Sequence, residues 1–255
     1  MLEQVFYPLV FIVLLIGISH GSLDDLLARQ DGLLKSRADL ALFYVCYILL
    51  AITVVAVWIY FPTISLIIFL LISAQHFSQD HNDSIYELRF GLIILAVPAW
   101  FHPNATSEIL SLLLLGLPAD LFVLGLKLFG AISIILCLGS VSQINNKALF
   151  ELLIIVTLGY FLKPLFYFAV YFTFFHSLHH FQWAFGELIK SSTSFIIKRI
   201  LLNTLLAFIL LFMYFSTIEG DTFENKVTQT IFIGLAALTV PHMATLYLIK
   251  RRRAS

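Results

Sequence analysis

The chain has 255 residues, no formal net charge and a mean hydropathy of +0.98. Hydrophobic residues make up 60% of it and charged residues 12%, about half the charged share of an ordinary soluble domain. That excludes a water-soluble globular protein, and the balanced charge offers nucleic acid no basic surface. What remains is an all-α polytopic transmembrane helix bundle, read as one membrane-embedded domain over residues 1–255.

A span needs roughly 20 apolar residues, fewer where neighbours shield it. The apolar runs predict helices near 4–20, 39–60, 62–77, 87–101, 119–141, 147–162, 164–187, 195–217 and 227–249. That makes nine spans, with eight as the alternative. The first run carries Glu3 in place of a basic leader and shows no small-residue cleavage site, so it reads as a retained helix. The run 107–117 is too short to span and is closed by Pro118; it is expected to lie in the interface or re-enter. Pro62, Pro118 and Pro164 mark turns or helix starts. Cys46 and Cys137 sit in separate apolar runs and read as unpaired core thiols.

Basic residues orient the spans. With nine spans and the N-terminus outside, the inner loops hold Arg29, Lys35, Arg37, Arg89, Lys147, Lys190, Lys198, Arg199 and the tail Lys250–Arg253. The outer loops hold Lys163 and Lys226. The positive-inside rule then places the C-terminus in the cytoplasm, in a plasma (inner) membrane.

The histidines carry the chemistry. An ionisable ring inside a membrane is a functional-site hypothesis by default. His20 closes the first span, His76 the third, and His176 and His180 occupy the second half of the seventh. His242 lies in the second half of the ninth. All these helices run inward, so all five rings fall toward the cytoplasmic half. His176 and His180 are four apart and share a helix face. His179 is turned about 60–80° away from their shared direction and reads as a neighbour. His20-Gly-Ser-Leu-Asp24 and His76-Phe-Ser-Gln-Asp80 share the pattern His-x-Ser-x-Asp. A carboxylate that accepts the far N–H of a metal-bound ring fixes its tautomer. Asp24 and Asp80 are candidates for that role, with helix capping as the plain alternative.

His20, His76, His176 and His180 therefore read as metal ligands and catalytic residues, with His242 as a fifth ligand or a residue beside the site. Neutral imidazoles without a thiolate suit Fe(II) with open positions for dioxygen. Phe accounts for 25 residues. Tyr171, Phe172, Phe175 and Trp183 crowd the histidine helix as candidate pocket walls for a greasy, flat substrate. The plain alternative for each is packing against lipid.

His20-Gly-Ser-Leu-Asp24, His76-Phe-Ser-Gln-Asp80, Phe175-His176-Ser-Leu-His179-His180 and Pro241-His242, taken in order, resemble the signature segments of the Brp/Blh family of membrane β-carotene 15,15′-dioxygenases. The resemblance runs over essentially the whole chain. It implies O2-dependent cleavage of the central double bond of β-carotene into two all-trans-retinals at Fe(II). The family's histidine ligands carry over to His20, His76, His176 and His180. It also implies delivery of retinal to a microbial rhodopsin.

Two other readings stay open in the sequence. His176-x-x-His179-His180 is also a His-x-x-His-His box, as in membrane di-iron hydroxylases and desaturases. The eight histidines of this chain do not form the three boxes such enzymes need. A transporter would show broken helices in matching halves. Gly116-Leu-Pro118 is one break without a partner.

Overall fold

The computed structural model describes residues 17–78, 87–139, 146–188, 192–219 and 221–254. The first expected span and Asp80 therefore fall largely or wholly outside the described residues. Those that are described are helical wherever regular structure forms. After a 3-10 turn (Ser19–Leu23) come α1 (Asp24–Gln30), α2 (Arg37–Tyr60), α3 (Pro62–Ser78), α4 (Glu87–Phe101) and α5 (Pro103–Leu113). These are followed by α6 (Asp120–Leu138), α7 (Asn146–Phe161) and α8 (Pro164–Val170). A π-helical stretch (Tyr171–Ser177) leads into α9 (Leu178–Glu187), then α10 (Thr193–Thr217) and α11 (Phe223–Arg253).

The expected spans match this order closely. Four described helices, α2, α6, α10 and α11, are long and apolar enough to cross a membrane, and α3, α4 and α7 are shorter apolar helices. Their outer faces explain why. Along α10, Leu201, Leu205, Ile209 and Phe212 recur at helical spacing and are all exposed. Such a stripe is costly in water and at home in lipid. The chain is a membrane protein. Its 11-residue α5 is roughly 17 Å long at 1.5 Å per residue, well short of a bilayer core. It starts at Pro103 rather than at residue 107, because proline suits the first helical position, where no N–H is needed. It ends in a turn at Leu115 and Gly116, both with positive φ. Both cysteines are free, but only Cys137 is buried; Cys46, expected in the core, is exposed on the outer face of α2.

The chain divides into two compact units, one of residues 1–60 and 172–255, the other of residues 61–171. In the second unit, α4 is the central helix, packed on α3, α5, α6 and α7. Small residues make this approach close. A Cβ at Gly91 would lie 1.8 Å from the carbonyl oxygen of Ala74, and one at Gly130 would lie 2.3 Å from Ala96 Cβ. Tyr167 donates its hydroxyl to the Ile94 carbonyl at 3.0 Å.

In the first unit α11 is the buried element. Val227 through Ala237 are buried without interruption, so this stretch of the helix is enclosed on all sides. It packs on α1, α2 and α10. Leu23, Leu26, Leu27, Ala184, Leu188 and Ile249 form a core at one end. Ion pairs close that end: Arg253 bonds Asp31 at 2.7 and 2.9 Å and Glu187 at 2.7 Å. The 3-10 turn and α1 are thus held against α9, α10 and α11, and they carry the acidic groups of the candidate site.

Candidate metal centre

Asp24 opens α1, His180 lies in α9 and His242 in α11, just after Pro241. All three are buried, and one ligand atom from each lies within 4.8 Å of those of the other two. The rings of His180 and His242 meet edge to face, with centroids 5.0 Å apart. His242 Nδ1 lies 2.7 Å from Asp24 Oδ1. The other carboxylate oxygen accepts the Tyr47 hydroxyl at 3.1 Å. Burial raises the Asp24 carboxyl above its ordinary value, and the His242 ring and the Tyr47 hydroxyl act against that. Both oxygens of Asp24 are thus engaged, one by an imidazole and one by a phenol.

This hydrogen bond has a chemical consequence. An ionised carboxylate only accepts, so with Asp24 ionised Nδ1 of His242 would carry the proton. Nε2 is then the ring's lone-pair atom, the state a metal ligand requires. Imidazoles with a carboxylate beside them, in a buried setting, suit iron, and also zinc and other divalent first-row metals. The residues present therefore fit a metal.

A second polar network lies directly beneath. Asp25 pairs with Arg199, whose Nε donates to Oδ2 at 2.9 Å. Asn203 Nδ2 reaches the Ser22 carbonyl at 2.7 Å and Asp25 Oδ1 at 3.0 Å, while its Oδ1 accepts Tyr44 Oη at 2.8 Å. These bonds tie the 3-10 turn and α1 to α2 and α10, which fixes where Asp24 points.

The residues expected from the sequence divide as follows. His180, His242 and Asp24 come together. The carboxylate of Asp24 was expected beside His20; the partner seen here is His242. The backbone of His20 lies in the 3-10 turn, and its side chain is outside what the structure describes. His176 is buried one turn before His180 and stacks on Phe172 with centroids 5.6 Å apart. It is the penultimate residue of the π-helical stretch, a widening that often marks functional positions. His179 is half-buried, as its angular offset predicts. His76 is buried in the second unit, near the end of α3. Of the expected pocket walls, Tyr171 and Phe172 are buried, Phe175 is half-buried and Trp183 is exposed. Tyr47, Asp25 and Asn203 were not expected at the site, and Arg199 was expected only as a basic loop residue. The signals were there: polar side chains inside apolar runs, and an Asp-Asp pair closing a membrane segment.

A sequence model of the family described as beta-carotene 15,15'-dioxygenase matches residues 11–250. The beta-carotene 15,15'-dioxygenase of uncultured marine bacterium 66A03 is 34% identical over 257 residues, covering 96% of this chain and 94% of that protein. No solved structure matches the chain. A buried imidazole–carboxylate cluster in an apolar helical bundle therefore sits within a match over almost the full length, and the chain belongs to the beta-carotene 15,15'-dioxygenase family.

Proposed function

We propose that this protein cleaves the 15,15′ double bond of β-carotene with O2, giving two all-trans-retinals. The central C=C bond breaks and two C=O bonds form. One O2 supplies both oxygens and takes up the electrons, so no outside reductant is needed. The observation that carries this reading is the buried Asp24–His180–His242 cluster, in a chain of this family. Family membership favours it over the di-iron and transporter readings.

The metal is Fe(II), held by histidines. His180 and His242 are supported by their shared cluster, and His176 by its place one turn before His180. His20 and His76 enter the ligand set on their His-x-Ser-x-Asp motifs alone. Iron, when bound, supplies the means to activate O2. Asp24 acts through His242, holding its ring in the Nδ1–H form, and Tyr47 holds Asp24. Apolar helices around the cluster exclude water, and the substrate enters from the bilayer, where it dissolves. The protein lies in the plasma membrane with its N-terminus outside and its C-terminus in the cytoplasm, and retinal passes to a microbial rhodopsin.

Expression in a bacterium that accumulates β-carotene tests the reading. The orange colour should fade and retinal should appear by chromatography, in amounts the empty vector does not give. Cells that stay orange and make no retinal, with the protein present in the membrane, would refute the activity.

A further inference from the structure

A cavity opens beside Asp24 and His242, bounded by the 3-10 turn, α2, α10 and α11. Its lining is mixed. Asp24, His242 and Tyr47 bond one another, and Asn203 bonds the Ser22 carbonyl and Asp25, so these groups and the adjoining Thr204 form a polar end. Leu206, Ile209, Leu210 and Leu235 are among its apolar lining. The stretch from Asn203 to Leu210 along α10 is roughly 10 Å at 1.5 Å per residue, so the apolar part runs away from the cluster along the membrane helices.

Two hydroxyls at the polar end are unspent. Ser22 Oγ and Thr204 Oγ1 are both buried without a hydrogen-bond partner, and Ser22 is only 5% exposed. A buried hydroxyl left unbonded is costly, and such groups in a native protein call for an explanation. Asn203 bonds the Ser22 carbonyl, so the serine and the start of the α10 lining meet at this end. Gly21 completes it. A Cβ there would stand 3.7 Å from His242 Nδ1, 3.8 Å from Tyr47 Oη and 3.9 Å from Asp24 Oδ2. The glycine leaves open a space that a methyl group would occupy beside the cluster.

We propose that this cavity is the half-site for one retinal unit. It takes half of the polyene with its reacting carbon at the His242 end, and after cleavage holds the new aldehyde oxygen as acceptor for the Ser22 or Thr204 hydroxyl. The inference rests on the function proposed above. An all-hydrocarbon ligand would gain nothing from these hydroxyls, whereas an aldehyde on a long apolar body matches both ends of the cavity. The hydroxyls thus favour the product side of the reaction, where oxygen has just been added. The cavity is lined by none of Tyr171, Phe172, Phe175 and Trp183, so the site is distinct from the aromatic stretch of the histidine helix.

Photolabelling tests this without turnover. The purified full-length protein in detergent is irradiated with an all-trans-retinal analogue carrying a diazirine on its ring. Label should fall on Ile48, Leu206, Ile209 or Leu210 and be competed away by unlabelled retinal. Ala207→Phe, which fills the apolar part, should abolish the label and leave the detergent-solubilised fold intact. Ser22→Ala should weaken binding of retinal about 5-fold, the worth of one neutral hydrogen bond. The same variant should not weaken binding of the analogue that ends in methyl in place of the aldehyde. Label confined to residues 171–183, or equal loss of both ligands in Ser22→Ala, overturns the half-site. If wild-type cells make retinal while the label maps elsewhere, the half-site alone fails. If they make none, the parent reading fails and the half-site falls with it.

Discussion

Asp24 accepts from His242 Nδ1 and from Tyr47, so its role differs from that of the rings it serves. Replacing His180 or His242 with Ala removes a donor atom and should abolish both bound iron and retinal formation. His20→Ala, His76→Ala and His176→Ala should do the same. Iron measured on purified, folded protein separates the cases, and full iron in His76→Ala would remove that ring from the ligand set. Asp24→Asn keeps the shape but offers His242 a weaker and differently oriented acceptor, so its loss should be smaller, about 10- to 100-fold in metal affinity or activity. Metal identity is tested by stripping and reloading. Fe(II) should restore retinal formation, only under oxygen, and Zn²⁺ should not, since zinc has no redox chemistry to offer. Retinal made by the zinc-loaded protein would end the iron assignment.

Among the elements, α4 and α11 are held by the absence of side chains as much as by their presence. At Gly91 the obstruction is backbone: an added Cβ would lie 1.8 Å from the Ala74 carbonyl oxygen. At Gly234 the obstruction is Leu211 Cδ2, 2.0 Å away, the mobile end of a side chain. Gly91→Ala must therefore separate α3 from α4, whereas Gly234→Ala asks only for a rotamer change. Overpacking of this kind costs about 1–3 kcal/mol, and Gly91→Ala should lie at or above the top of that range. Thermal unfolding in detergent should show the larger drop for Gly91→Ala. Leu211→Ala should rescue Gly234→Ala specifically, as a coupled pair does. An order reversed between the two glycines would contradict the packing described. The elements themselves were legible in the sequence because lipid-facing spans leave long apolar runs and because Pro62 and Pro164 begin helices; the start of α5 at Pro103 was not, since the apolar run begins only at residue 107. The π-helical stretch at Tyr171–Ser177 was not legible. It depends on how the helix packs, and no residue type demands it. The pairing of Asp24 with His242, 218 positions apart, was hidden for a related reason: local spacing offered His20 as the partner, and only the fold brings α11 to α1.

For the whole molecule, contacts constrain the topology alongside charge. Arg253 at the end of α11 bonds Asp31, just after α1, and Glu187, at the end of α9. Three ion-paired groups cannot lie on opposite faces of a membrane, so the chain crosses an even number of times between each pair of them. Four of the described helices, α2, α6, α10 and α11, are long enough to cross. The proposed topology meets the parity if α3, α4, α7 and the run from α8 to α9 cross as well, which gives six crossings from Asp31 to Glu187 and two more, α10 and α11, to Arg253. In that topology a spanning α5 would make the parity odd, so the contacts are consistent with α5 as a helix too short to cross. The basic residues Arg29, Lys35 and Arg37 then share a face with Lys250 through Arg253, and the proposed orientation puts that face in the cytoplasm, as the positive-inside rule expects. The first apolar run sets the remaining end. With it spanning, the N-terminus lies outside; without it, both termini lie inside. Reporter fusions resolve this directly. A fluorescent protein that matures only in the cytoplasm should light up when fused after Ser255, and a phosphatase active only outside should work when fused before Met1. A fluorescent fusion at both ends would mean eight spans. A dark fusion at the C-terminus would reverse the whole bundle.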